Sequence, residues 1–219
     1  MQLSERLRLY RADKEFCRRA LGVMLPVAVQ QLINSLFNMV DNLMVGSLDP
    51  NGLAMSAVSV ANKPYTIFTC LLFGLTGGAG LMISQYYGAG REDKVRETVH
   101  TSIVMTLILA VLFTIIGIAM IPFVLNFMKT PAEVMPESSA YLTIYFAGVI
   151  GLMLYNMGAG ILRAVGDSKR PFYFLVVSAV LNIILDLVFV LSLGMGVKGV
   201  AYATIISQGV SAMLTMITL

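Results

Sequence analysis

Apolar and polar residues alternate along the chain in six long hydrophobic stretches separated by short polar breaks. Each stretch is long enough to cross roughly 30 Å of hydrocarbon as an α-helix. We place them near residues 20–47, 53–87, 98–128, 138–162, 171–193 and 198–219. The breaks contain turn-forming residues at 48–52, 88–90, 130–131, 166–167 and 194–196. The pattern predicts an all-α, polytopic membrane protein with six transmembrane helices.

Composition supports this class and narrows the function. Hydrophobic residues make up 58% of the chain and charged residues only 12%, against about 25% charged residues in soluble domains. The net charge of +3 is modest, so no nucleic-acid partner is expected. Cys17 and Cys70 are far apart in the sequence and have no metal-binding pattern around them. We therefore expect neither an enzyme nor a resident cofactor.

Basic residues predict the orientation. All of the fifteen lysines and arginines except Lys63, Lys129 and Lys198 lie in residues 1–19, 91–96 and 163–170. The positive-inside rule then places the N-terminus and the second and fourth loops in the cytoplasm, with the chain in the cell (inner) membrane. We expect residues 1–19 to form a cytoplasmic amphipathic lead-in and residues 20–219 to form a single transmembrane lobe.

Asp41 and Asp186 are carboxylates that stand alone inside long apolar stretches. A charged side chain near the bilayer centre costs at least ~2.5 kcal/mol, so intramembrane acids usually face a wet cavity, bind a cation or titrate. Helix packing alone does not require a charge. Two such acids on separate spans indicate a cation-coupled membrane protein.

Helical spacing aligns other polar residues with Asp41 on the first span. At 100° per residue, Gln30, Asn34, Asn38 and Asp41 share one face. We predict that this face lines a cavity, although interhelical hydrogen bonds worth ~0.6 kcal/mol each are the alternative for the amides. Pro26 precedes the stripe and interrupts the backbone hydrogen bonding of the helix. It is either a hinge or a tolerated membrane proline.

Three further spans have polar faces. The faces comprise Tyr141 with Tyr145 on the fourth span, Ser178 with Asn182 and Asp186 on the fifth, and Thr204 with Ser207, Gln208 and Ser211 on the sixth. Asn182 lies one turn before Asp186, and an amide oxygen beside a carboxylate is a ligand pair that small hard cations prefer. These faces are predicted to meet in the interior of the lobe.

Three motifs are distinctive, namely G-I-L-R-A-V-G-D-S-K-R-P at 160–171, Q-Y-Y-G-A-G at 85–90, and V-D at 40–41. Together they resemble the motifs of the multidrug and toxic compound extrusion (MATE) transporters. The resemblance implies a fold of twelve helices in two six-helix lobes, of which this chain matches the N-terminal lobe. It also implies export of organic cations and other drugs in exchange for Na⁺ or H⁺, with bending of the first helix at Pro26.

The resemblance assigns a coupling-cation site to Asp41, Asn182, Asp186 and Thr204, with Tyr141 nearby. Either Na⁺ or H⁺ would be the ion, and Na⁺ would be held by the first four of these residues. We assign Gln30, Asn34, Asn38, Tyr145 and Ser178 to the cavity and its substrate.

The predicted function is therefore that of the N-terminal half of a cation-coupled multidrug or organic-cation antiporter. Its expected partners are membrane lipid, a drug or organic cation, and either a missing C-terminal lobe or a second copy of the chain. The alternatives are a half-size homodimeric transporter, a related flippase for lipid-linked substrates, and an inactive membrane fragment. Paired membrane aspartates also occur in intramembrane aspartyl proteases, which have the motif G-x-G-D. The nearest string in this chain, A-V-G-D at 164–167, departs from that motif.

Overall fold

The computed structural model describes residues 14–48 and 52–219, and nearly all of them are helical. The helices are α1 (Lys14–Leu48), α2 (Leu53–Gly88), α3 (Glu92–Phe127), α4 (Met135–Ala164), α5 (Lys169–Asp186), a π-helical segment (Leu187–Ser192) that continues α5, and α6 (Gly196–Thr218). The described residues contain no strand, so the all-α prediction is confirmed. The six apolar stretches correspond one to one with these helices, although α1 and α3 begin about two turns earlier.

The predicted lead-in falls partly outside this description. Residues 1–13 lie outside the described residues, and helix α1 already includes Lys14. Four of the described helices are long and apolar enough to cross a membrane, namely Glu92–Phe127, Met135–Ala164, Lys169–Ser192 and Gly196–Thr218. Helices α1 and α2 are of comparable length, at 35 and 36 residues.

Glycines end several helices at the predicted breaks. Gly90 and Gly166 have φ angles of 67° and 93°, in the left-handed region that L-residues rarely adopt. Short connections make consecutive helices run in opposite directions. The α2–α3 connection and the α4–α5 connection therefore lie at the same end of the bundle. We call this end, which includes Arg91 and Arg170, the basic end.

Helix α4 is the centre of the bundle and packs against α2, α3 and α6. Small residues let α6 come close, since a Cβ on Gly151 would meet the Gly209 Cα at 3.4 Å. Ser138 Oγ donates a hydrogen bond to the Ala57 carbonyl of α2 at 3.2 Å. Among the described residues, helix α1 makes fewer contacts with the rest of the bundle than any of the other five α-helices does. The fold is thus a closely packed group of helices around α4, against which α1 packs more loosely.

Candidate functional site

A polar cavity of about 480 Å³ lies between α1, α2, α4, α5 and α6. We call it the main cavity. Its volume is in the range of sites for small organic molecules. Among the described side chains, those that line it include no charged group. Its polar members are Gln31, Asn34, Asn42, Asn62, Tyr65, Thr66, Thr69, Tyr141, Tyr145, Tyr155, Asn156, Ser178, Asn182, Thr204, Ser207, Gln208 and Ser211.

Two of the predicted cation ligands lie on successive turns of α5. Asn182 lines the main cavity, and Asp186, the last residue of α5, is completely buried at 0% exposure. Residues four apart lie on one side of a helix, so the amide and the carboxyl group share a face. The Asn182 Nδ2 atom is buried and has no hydrogen-bond partner among the described residues.

Thr204 and Ser178 bring α6 and α5 to the same wall. Both residues line the main cavity. The Thr204 hydroxyl donates to the Val200 carbonyl at 2.9 Å, which leaves its oxygen as an acceptor. Ser178 Oγ donates to the Ser207 carbonyl at 2.7 Å. Ser178 thus lies in the wall of the cavity and also links two helices.

Three tyrosines form a cluster beside these residues. The rings of Tyr141 and Tyr145 are stacked with centroids 4.4 Å apart, and Tyr65 of α2 meets Tyr145 edge-on at 5.0 Å. Tyr141 and Tyr145 were assigned from the sequence, whereas Tyr65 was not. The faces of aromatic rings attract cations, so the cluster can hold an organic cation by its rings.

The polar stripe of α1 is divided between two surroundings. Asn34 lines the main cavity. Gln30 is buried instead in a hydrogen-bonded network: its Nε2 donates to Tyr155 Oη at 2.8 Å, and Arg163 Nη1 donates to its Oε1 at 3.4 Å. Tyr155 Oη in turn donates to the Pro171 carbonyl at 3.2 Å. This network joins α1 to α4 and α5 near the basic end.

Asn38 and Asp41 belong to helix α1, but their side chains lie outside the described ones. Pro26 is inside the same helix, which continues through it. Their assignments to the cavity, the cation site and a hinge therefore stay predictions.

The sequence pattern missed the part of the cavity formed by α2 and the middle of α4. Asn62, Thr66 and Thr69 follow i, i+4, i+7 on α2 and all line the main cavity, so the spacing test applied to the other helices would have found them. Asn156 of α4 also lines it. In α1 the lining glutamine is Gln31, the neighbour of the residue that was predicted.

The π-helical segment directly after Asp186 was also unforeseen. Leu193 N donates to the Val188 carbonyl, five residues earlier, at 3.0 Å. Short π segments within helices occur frequently at functional sites. Among the described residues no three His, Cys, Asp or Glu side chains gather into a metal-binding group.

The helices and the cavity define a multi-pass membrane protein with a polar chamber inside its bundle. The MatE family model matches residues 26–188. The chain belongs to this family, as its motifs indicated.

The names of similar proteins agree with this assignment. The probable multidrug resistance protein YoeA of Bacillus subtilis (strain 168) is 32% identical over 203 residues, which are 90% of this chain and 43% of YoeA. The probable multidrug resistance protein YpnP of the same organism is 29% identical over 85% of this chain and 42% of YpnP. The chain thus spans less than half the length of these relatives.

A solved structure has the same fold. It is described as the outward-facing conformation of a multidrug resistance MATE family transporter of the MOP superfamily. The TM-score is 0.85 at 28% identity, and the match covers 90% of this chain and 43% of the other.

Proposed function

We propose that the chain is the N-terminal lobe of a cation-coupled multidrug transporter and that it contains the coupling-cation site. The relatives named as multidrug resistance proteins support a role in drug transport. The observation that carries the proposal is Asp186, a completely buried acid one turn from the cavity residue Asn182. A buried carboxyl group is costly unless it is paired, protonated or bound to a cation.

In the proposed mechanism Na⁺ or H⁺ binds among Asp186, Asn182 and Thr204, with Tyr141 nearby and Asp41 approaching from α1. Cation binding neutralises the site, which weakens the attraction of an organic cation for the main cavity. Because coupling between two ligands is reciprocal, drug binding lowers the cation affinity by the same factor. The sparse contacts of α1 with the bundle make this helix the element that can move, with Pro26 as its hinge.

The exposed face of α1 and α2 supports a second lobe or a second copy as a partner. Gln31 and Thr66 line the main cavity and are also exposed, so the cavity opens on this face. No described atom lies within 4 Å of a Cβ added to Gly74 or Gly78 of α2, and Lys63 is exposed there. Polar groups at membrane depth need protein or water around them, and a second lobe would supply both.

For the orientation, we propose that the basic end faces the cytoplasm in the cell inner membrane. Arg91, Arg163 and Arg170 gather there through the α2–α3 and α4–α5 connections, and positive charge favours the cytoplasmic side.

Cation binding by the reconstituted chain tests the coupling site directly. We expect Asp186→Asn to abolish binding of ²²Na⁺, or proton uptake if the ion is H⁺, while insertion into the membrane is unaffected because the charged form is the costly one. Glu137→Gln is the matched control, since it makes the same chemical change at an exposed carboxyl group. Unchanged ²²Na⁺ binding and proton uptake in Asp186→Asn would contradict the proposal.

Transport is measured separately, as uptake of a fluorescent organic cation into liposomes under an imposed Na⁺ or proton gradient. Crosslinking reports the oligomeric state. We expect the monomeric chain to bind a cation and to move no drug, because one wall of the drug path is missing. Transport only by crosslinkable dimers would favour the half-size transporter, and gradient-driven transport by monomers would refute the requirement for a partner.

A further inference from the structure

A second cavity, of about 410 Å³, lies between the end of α2, the start of α3 and the second half of α4. We call it the α3 groove. From α3 it receives residues between Lys94 and Leu109, which corresponds to roughly 22 Å of helix at 1.5 Å per residue. The groove thus extends from the charged first turns of α3 at the basic end deep into its apolar part.

Hydroxyl groups are concentrated on this face of α3. Thr98, Thr101, Ser102 and Thr106 line the groove, and the one other hydroxyl residue of the helix is Thr114. Beyond its charged first turns the helix is mostly apolar, and four of its five hydroxyl residues lie against one cavity. A groove that served only as a lipid contact would not require them.

The threonine hydroxyls of α3 present acceptor oxygens to the groove. Thr98, Thr101 and Thr106 donate their hydrogens to the backbone carbonyls four residues earlier, at 2.7, 2.8 and 2.7 Å. Their hydrogens are thus used inside the helix, and the oxygen lone pairs remain for a ligand. Hydroxyl oxygens of this kind can accept from water or bind a small hard cation.

The two charged side chains that line the mouth of the groove, Lys94 and Glu97, form an ion pair. Lys94 Nζ and Glu97 Oε2 are 2.6 Å apart, and the two side chains are 44% and 65% exposed. The lysine therefore does not leave an uncompensated positive charge that would repel a cation.

The inner end of the groove meets the main cavity at Asn156, which lines both. Asn156 Nδ2 donates to the Leu152 carbonyl at 2.8 Å, so the nitrogen of the amide is bound within α4 and the oxygen is the acceptor. A single side chain thus belongs to the walls of both cavities, and the main cavity is also lined by the proposed cation ligands Asn182 and Thr204.

We propose that the α3 groove is a water-filled vestibule for small cations, leading from the basic end to Asn156 and the main cavity. Its volume is many times the roughly 30 Å³ that a water molecule occupies in the liquid. The inference rests on the proposed function in one respect, because the cation that it admits is the coupling cation. A path within one lobe lets this cation exchange while the drug side of the main cavity is occupied.

Labelling of single cysteines tests the vestibule without measuring transport. In the full chain lacking Cys17 and Cys70, Met105→Cys places a thiol in the groove, whereas Val104→Cys places one at the same depth outside it. The two parent side chains are equally exposed, at 51% and 52%. Charged methanethiosulfonates are excluded from lipid. We therefore expect the trimethylammonium reagent to react at least about tenfold faster with Met105→Cys than with Val104→Cys. We also expect this cationic reagent to react faster than the anionic sulfonate, after correction for their rates with a free thiol.

Each other outcome overturns the proposal. Equal rates at the two positions, with ready reaction of both thiols with a membrane-permeant maleimide, would mean that the groove is dry or filled by a lipid chain. A preference for the anionic reagent would make it an anion vestibule.

A second measurement addresses the connection at Asn156. After the Met105→Cys thiol has been modified, release of the bound coupling cation should slow several-fold while its equilibrium affinity stays the same. Unchanged release would show that the cation takes another path. If the unmodified chain binds no cation at all, the proposed function fails, whereas the labelling result still decides whether the groove is wet.

Discussion

The contact between α4 and α6 can be tested by moving one methyl group across it. A Cβ added to Gly158 would collide with Thr215 Cγ2, whereas it would lie 3.5 Å from Thr215 Cβ and 3.3 Å from Leu219 Cδ1. Thr215 is completely buried, and its hydroxyl donates to the Ser211 carbonyl at 2.7 Å. Thr215→Ser removes the colliding methyl and keeps the hydroxyl. Gly158→Ala and Thr215→Ser should therefore compensate each other.

The magnitudes follow from the packing. Overpacking by Gly158→Ala costs about 1–3 kcal/mol, offset by about 0.5–1 kcal/mol because alanine is the better helix former. Thr215→Ser alone loses a buried methyl worth about 0.8 kcal/mol. In the double variant the methyl is relocated rather than lost. We expect its stability to be within about 0.5 kcal/mol of the parent chain, instead of the sum of the two single losses.

Thermal unfolding in detergent measures these differences, since 1 kcal/mol shifts Tm by roughly 2–4 °C in a chain of this size. Gly209→Ala is the control on α6, because no described atom lies within 4 Å of its added Cβ. Combined with Thr215→Ser, it should give additive effects. If the Gly158→Ala and Thr215→Ser losses also add, the two helices do not pack as described and the reasoning fails.

Three further predictions concern the site and the orientation. Tyr155→Phe should cost about 1–3 kcal/mol of stability, because it leaves two buried groups of the network without a partner; the exposed Tyr202→Phe should cost little in the same unfolding assay. Ser178→Ala should cost about 0.6 kcal/mol, the usual value for a hydrogen bond between membrane helices, and a stability equal to the parent would contradict a structural role. With an impermeant thiol reagent, Lys169→Cys should label from the cytoplasmic side and Lys198→Cys from outside; the reverse result would overturn the orientation.

Much of the fold could be predicted because hydropathy and turn residues are local properties of the sequence. Each helix of the bundle follows from an apolar stretch, and Gly90 and Gly166 end helices where the sequence placed breaks. The polar face of α5 also follows from local sequence. The spacing of Ser178 and Asn182 puts both on one side of the helix, and both line the main cavity.

The rest of the site depends on how each helix is rotated against its neighbours. Adjacent residues differ by 100° around a helix, so a rotation of α1 by about half that angle decides whether Gln30 or Gln31 faces the main cavity. That rotation is fixed by Tyr155 and Arg163, which bind Gln30 from α4. These partners are more than a hundred residues away in sequence, and the period of α1 contains no information about them.

The π-helical segment after Asp186 has a consequence for how sequences of this kind can change in length. A π turn contains one residue more per hydrogen-bonded ring than an α turn. Deleting one residue within Leu187–Ser192 would let the segment relax into an ordinary α-helix while α5 before it and α6 after it keep their places. Gaps between related sequences should therefore collect in these six positions, immediately beyond the acid and never at it. The length of the chain can therefore change next to Asp186 while the position of Asp186 in the bundle stays the same.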